Sequence, residues 1–328
     1  MLKKVAVSVI IPVYNRSREM EDCLKSVISQ KTTFNYEVIV VDDGSTDNTA
    51  SVINQWKRRY PSKIRILAKD KNEGASKAIN SGIAKATGKI IALVDSDCIA
   101  KSDWLENITS YIRRGDEKIT AGYSEGEVKN AWQKIIQESY ERTRKNSVKD
   151  GYMKSFDTKN AAAAKDVFNK VGFFRVRHNY DIDFGARCSA NDIKIKHVSN
   201  AVVKHKHRTS LRAVLKNSYW YYLSYASLIR RNPRYLLINP GDNVPFIAGF
   251  LFLLLVIGAP IFLSINAAAY LFCFLLFIIA IVIKTWHEPY YLVFHRLLYH
   301  VLVSTGMFLG FIMGIPKALM KNNQLELI

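Results

Sequence analysis

Over its first hundred residues the chain switches between two kinds of segment at a regular spacing. Short apolar, β-branched runs occupy positions 5–13, 37–41, 64–67 and 89–94, and segments of helical length lie between them at 18–30, 48–60 and 75–86. Strands alternating with helices imply βαβ units, hence a mostly parallel sheet with helices on both faces. Right-handed crossovers then bring the strand C-termini to one edge, where ligands of such sheets bind. The acidic clusters of this region sit at those strand ends. The fold class is α/β and Rossmann-like.

A second feature divides the chain. No charged residue occurs across positions 243–283, a length sufficient for two helical crossings of a hydrocarbon core of ~30 Å. A break at Ser264, Ile265 and Asn266 separates transmembrane helices at about 244–263 and 267–283. So continuous a run of Phe, Leu and Ile leaves no solvated face for a soluble helix. A third uncharged run, 297–316, spaces Gly306, Gly310 and Gly314 four apart. That spacing suits a third crossing and an interfacial helix equally.

Just upstream, residues 204–234 carry eight Lys or Arg and no acid, with Tyr219, Trp220, Tyr221, Tyr222 and Tyr225 interleaved. Such a stretch docks on an anionic membrane surface. The chain holds 47 basic and 28 acidic residues, and almost all of its net +19 falls before residue 241. A basic body of this kind calls for a polyanionic partner. No RNP- or KH-type signature accompanies the charge, so no nucleic acid is expected. Four cysteines at irregular spacing, with no C-x-x-C, argue against a disulfide scaffold and a zinc ribbon. The N-terminal apolar run is short and lacks a cleavage-site pattern, so it reads as a first strand of a cytosolic body rather than as a signal peptide. The expected organisation is a body at 1–207, interfacial helices at 208–240 and a membrane domain at 241–328, a multi-pass protein of the cell membrane.

The chemistry-bearing strings lie at the ligand edge. The first strand ends in P-V-Y-N, the second in D-D-G-S-T-D and the fourth in D-S-D, and the segment before the fourth reads N-E-G-A-S-K-A-I-N. Each is weak alone: D-x-D recurs by chance at Asp181 and Asp183, and D-D-G-S is commonly a turn with a helix cap. Their order and shared edge carry the weight. Clustered carboxylates repel one another, and a divalent cation offsets that repulsion. Mg²⁺ characteristically takes one or two carboxylates plus substrate phosphates. Two acids one residue apart at a strand end therefore fit metal-assisted handling of a diphosphate.

These strings resemble the family 2 glycosyltransferases, inverting enzymes with a GT-A nucleotide-sugar-binding fold. The likeness runs through S-V-I-I-P-V-Y-N, V-I-V-V-D-D-G-S-T-D-N-T, N-E-G-A-S-K-A-I-N-S-G and L-V-D-S-D, and extends less tightly to about residue 207. It implies that residues 1–207 form the glycosyltransferase domain, and that Pro12, Tyr14, Asn15, Asp43 and Lys77 bind the nucleotide. Asp95 and Asp97 would serve the diphosphate and a Mg²⁺ or Mn²⁺ ion, with His205 as a further metal ligand. Lys77 stands where many members carry Arg. The family's Glu-Asp-x-Asp is matched by Tyr180, Asp181, Ile182 and Asp183, which makes Asp181 the general base, with Asp183 its rival. The Gln-x-x-Arg-Trp string of processive members is absent, as residues 216–220 read K-N-S-Y-W. The resemblance thus implies a single, non-processive transfer from a UDP- or GDP-sugar to a lipid-linked or polysaccharide acceptor. A polyprenyl-phosphate glycosyl synthase is the alternative. A sugar nucleotidyltransferase would want a Gly-rich basic loop after the first strand, which Y-N-R-S is not. A nucleotide-sensing membrane scaffold is the non-enzyme reading.

Overall fold

The computed structural model describes residues 5–153 and 156–206, together with positions 212 and 219. The three expected membrane segments and nearly all of the basic, aromatic stretch before them lie outside the described residues. Among the described residues no helix is long and apolar enough to cross a membrane. Residues 5–127 and 144–206 belong to one compact unit, which carries the site, and residues 128–143 are assigned to another.

The first half follows the alternation in the sequence. β1 (Val7–Val13), β2 (Tyr36–Asp42), β3 (Ile64–Ala68) and β4 (Ile90–Val94) are separated by α1 (Ser17–Ile28), α2 (Thr49–Arg59) and α3 (Ala75–Lys85). They pair in parallel in the order β3-β2-β1-β4. Side chains alternate across a strand, and both faces here are buried. Val7, Val9, Ile11 and Val13 join Met20, Leu24, Ile53 and Trp56 in one cluster, whereas Ile10 joins Ile39, Val41, Ile79 and Ile83 in the other. That two-sided burial is why these strands read as nearly unbroken apolar runs.

The second half is not built that way. It contains β5 (Cys98–Ala100), α4 (Trp104–Arg114), β6 (Ile119–Gly126), α5 (Ala131–Ser147), β7 (Val148–Lys149), β8 (Tyr152–Met153), β9 (Asn160–Ala164), α6 (Lys165–Val171), α7 (Tyr180–Ala190) and β10 (Ile195–His205). β9 inserts antiparallel between β4 and β6, while β10 runs parallel to β6 and antiparallel to β5 and β8. The sheet is therefore mixed, and the expectation of a mostly parallel sheet holds only as far as β4. The cause is the point of entry. β9 starts opposite the end of β4, at the ligand edge, so it must run back across the sheet.

The small side chains of β9 leave room for large ones on both faces. Ala162 lies in one cluster with Trp104, and Ala161 and Ala163 lie in the other with Phe156, Phe168, Phe174 and Phe184. These rings pack with centroids as close as 4.9 Å for Phe174 and Phe184 and 5.0 Å for Phe156 and Phe184. Asn160 is fully buried. It accepts from Trp104 Nε1 at 2.8 Å and donates to the carbonyls of Tyr123 and Ala201 at 2.9 and 3.0 Å, so one amide ties β9 to α4, β6 and β10.

Candidate active site

The site grows from the ends of β1, β2 and β4. Past β1, Tyr14 is 42% exposed and Asn15 has φ 51°, a left-handed conformation that Asn tolerates. The Asn15 carboxamide accepts from Thr46 N–H at 2.8 Å and from Asp47 N–H at 3.3 Å, so it ties the first loop to the second. Asp42 accepts from Ser45 N–H at 2.9 Å, closing the turn. Gly44 has φ 75°, and a Cβ there would lie 2.6 Å from the backbone of Lys71; only glycine fits where these two loops press together. Asp43 is buried and receives Gly74 N–H at 2.7 Å and Glu73 N–H at 3.1 Å, with Lys69 Nζ at 3.3 Å. Its carboxylate thus holds the loop that starts α3.

At the end of β4, Asp97 meets Arg16 Nη2 at 3.4 Å through one oxygen, and His205 Nε2 at 3.6 Å and Cys98 Sγ at 3.9 Å through the other. These carboxylate, imidazole and thiol atoms all lie within 4.8 Å of one another. Burial pushes the Asp95 carboxyl up to about 7, helped by the charges of Asp97, Asp157 and Asp181 and opposed by Lys159. Burial likewise raises the Cys98 thiol well above its ordinary value. Carboxylates gathered like this suit a hard divalent cation, since its charge relieves the repulsion that raises Asp95.

The opposite wall comes from α7 and the loop before β9. Asn179, at φ 55°, starts α7, which places Tyr180 and Asp181 in its first turn. Burial and the neighbouring Asp157 push Asp181 up to about 6. Asp183, two residues on, is differently placed. It is buried and bound by Arg187 through Nε at 2.9 Å and Nη2 at 2.8 Å. Arg187 in turn donates to the carbonyls of Val171, Gly172 and Phe173. Across from α7, Asp157 pairs with Lys159 at 2.5 Å, and Thr158 Oγ1 lies 3.5 Å from Tyr180 Oη.

A cleft of about 180 Å³ lies between these walls, and Pro12, Tyr14, Asp43, Asp95 and Asp97 line it. Of the other residues singled out in the sequence, His205 stands beside Asp97, and Asp181 follows Tyr180, which lines the cleft. Asn15 and Lys77 are not among the lining residues; Lys77 is half exposed and lies 3.8 Å from Glu73. Arg16 and Asn72 also line the cleft, and the Asp157–Lys159 pair acts on its acids. Sequence reasoning gave none of the four a role, although Asn72 opens the N-E-G-A-S-K string it singled out. Only the antiparallel register that sets Asn160 against Val94 brings Lys159 to Asp95.

The model for glycosyl transferase family 2 matches residues 8–178. The chain belongs to that family. Among curated members, the glycosyltransferase AglE of Haloferax volcanii is 34% identical over 171 residues, covering 51% of this chain and 55% of its own length. The dolichyl-phosphate beta-glucosyltransferase ALG5C of Trichomonas vaginalis is 32% identical over 117 residues, 34% of each chain. This chain thus spans about half or less of the length of these relatives. Among solved structures, the mannosyltransferase PcManGT from Pyrobaculum calidifontis, in complex with GDP-Man and Mn2+, matches with a TM-score of 0.61 at 16% identity, over 98% of this chain and 89% of that one. At that identity the likeness speaks for the fold. The family 2 match stops at residue 178, so Asp181 and His205 rest on the geometry around them.

Proposed function

We propose that this chain is a membrane-anchored, inverting, non-processive glycosyltransferase that moves a sugar from a nucleotide-diphosphate donor to a lipid-linked or envelope glycan acceptor. The observation that carries the reading is the gathering of two acid sets at one cleft: Asp95 and Asp97 line it, and Asp181, beside the lining Tyr180, lies near enough to act on Asp95. Asp95 and Asp97 come from β4, and a separate carboxylate, Asp181, comes from the first turn of α7. A direct displacement at the anomeric carbon needs this division of labour, with leaving-group charge handled on one side and the acceptor proton taken on the other.

Pro12, Tyr14 and Asp43 hold the nucleotide, and Asn15 shapes their loop. Lys77, half exposed on α3 beside Glu73, meets the donor phosphates. Asp95, Asp97 and His205 would hold Mg²⁺ or Mn²⁺, which when bound offsets the charge developing on the nucleoside diphosphate. Arg16, already beside Asp97, adds a fixed positive charge at the same place. Asp181 accepts the acceptor hydroxyl's proton on its carboxylate. Asp183 is unsuited to that task because Arg187 occupies its oxygen. Since one displacement occurs, the anomeric configuration inverts. The uncharged run at 243–283 and the basic, aromatic stretch before it anchor the body to the cytosolic leaflet.

The test is Asp181→Asn, which preserves shape and removes the base. The expected result is a fall in kcat of about 10²–10⁴-fold, with donor affinity within a few-fold of the parent. Full activity in this variant, with loss in Asp183→Asn, would transfer the base to Asp183. The likeness to a dolichyl-phosphate glucosyltransferase favours one second reading, an acceptor that is itself a polyprenyl phosphate. Its oxygen is already ionised, so mild effects from both substitutions would select that acceptor. A donor screen by thermal shift with Mn²⁺ or Mg²⁺ ranks nucleotide sugars, because a ligand at 100 times its Kd adds about 2.7 kcal/mol. For the anchor, a cysteine placed at Asn266 should react with an impermeant thiol reagent on intact cells; labelling only after lysis overturns the orientation.

A further inference from the structure

One arginine decides which way a cleft residue faces. The segment 172–179, between α6 and α7, is fastened to α3 and to the loop before it. Asn80 binds both backbone groups of Phe174, donating from Nδ2 to the carbonyl at 2.8 Å and accepting the N–H at 3.1 Å. Three residues on, Arg177 lies across Gly74, where a Cβ would come within 3.1 Å of the arginine Cγ. Its Nη2 donates to Asn72 Oδ1 at 3.1 Å. Gly74 is itself pinned, since its N–H meets Asp43 at 2.7 Å. A guanidinium carries only donors, so the atom it meets has to be the oxygen of the Asn72 carboxamide. That choice leaves the Nδ2 amino group, with two N–H donors, on the side away from Arg177. Asn72 lines the cleft, and among the described residues its Nδ2 has no partner.

We propose that Asn72 recognises the nucleoside, its Nδ2 donating to an uncharged oxygen of the base or ribose, and that Arg177 is the positioning residue that holds it in this orientation. The strand order supplies the location. Asn72 follows β3, in the loop held by Asp43 just past β2, whereas Asp95 and Asp97 follow β4 on the far side of β1. A diphosphate at the β4 acids therefore sends its nucleoside towards Asn72. The assignment rests on the donor reading above. It makes part of nucleotide affinity depend on a residue of the segment that leads into α7.

The experiment measures binding of UDP and of GDP, each with Mn²⁺, to the full-length chain by calorimetry. The parent should bind at least one of them. Asn72→Ala removes one neutral hydrogen bond and should weaken that nucleotide about three- to tenfold. Asn72→Asp keeps an oxygen for Arg177 but loses the amino group; it should weaken binding at least as much, and it stands in should the alanine variant fail to fold. Arg177→Ala should cost a similar factor, and Arg177→Lys, which still offers one donor to Oδ1, should recover all but about twofold. In an Asn72→Ala background, Arg177→Ala should add no more than about twofold, because the group it positions is gone. Full multiplication of the two losses would make Arg177 a structural residue and overturn its role. Parent-like affinity in Asn72→Ala overturns the whole proposal. A parent that binds neither nucleotide would instead overturn the donor reading, and this assignment with it.

Discussion

The two halves of the sheet reach the same end by different physics. From β1 to β4, parallel strands are covered on both faces by β-branched and aliphatic residues, and the loops at their ends carry Asp43, Asp95 and Asp97 of the cleft. From β6 to β10, the strand between the halves is a run of alanines, with aromatic rings and a buried amide around it. The first half is held by many interchangeable contacts, the second by a few that have no substitute. A site assembled across both therefore has one wall tolerant of change and one that is not.

The sharpest way to break this contrast is to cut a ring from the second half. Phe184→Ala should cost about 3–5 kcal/mol, read as a shift in the denaturant midpoint of the full-length chain. A truncation to the same residue in the first half, Ile10→Ala, should fall at the low end of about 2–5 kcal/mol, and a loss equal to that of Phe184→Ala would erase the distinction. Asn160→Ala comes next, at about 2–3 kcal/mol, because it strands the Trp104 N–H and the carbonyls of Tyr123 and Ala201 in the interior. Stability of the parent in that variant would show that water replaces the amide.

The pH dependence of turnover separates the walls more finely. As the proposed base, Asp181 must be ionised to accept a proton, and burial with Asp157 raises it to about 6. Turnover should hold above that pH and fall about tenfold per unit below it. Asp157→Asn removes a like charge and should move the limb to lower pH; a limb that stays put would detach Asp157 from the base. The smallest effect belongs to the first wall. Asn15→Ala loses the carboxamide's bonds to residues 46 and 47 and places Ala at positive φ, for about 1 kcal/mol, measured by the same midpoint.

Legibility in the sequence followed the same division. Two-sided burial writes a strand as an apolar run, so the elements up to β4 stand within a few residues of where the pattern puts them, and Asp43, Asp95 and Asp97 are found at the strand ends. β9 carries no such mark. Four alanines are strong helix formers by propensity, and only the space demanded by Trp104 and Phe184 makes them a strand. Arg16 and Lys159 were hidden for another reason. Single cations carry little signal in a chain with 47 of them, and register, not spacing, delivers Lys159 to Asp95.

β10 has a consequence for how such a protein is made. Its first residues pair with β8, its middle with β6 through a bulge, and its last with β5, ending at His205 beside Asp97. Among the described residues it is also the last strand of the sheet to leave the ribosome. Until it arrives, β6 presents an open edge, Asn160 lacks one of its carbonyl partners and Asp97 lacks its imidazole neighbour. Chain order thus makes the Asp97 edge the last part of this sheet to be completed, while more than a third of the chain, residues 206–328, is still to be made.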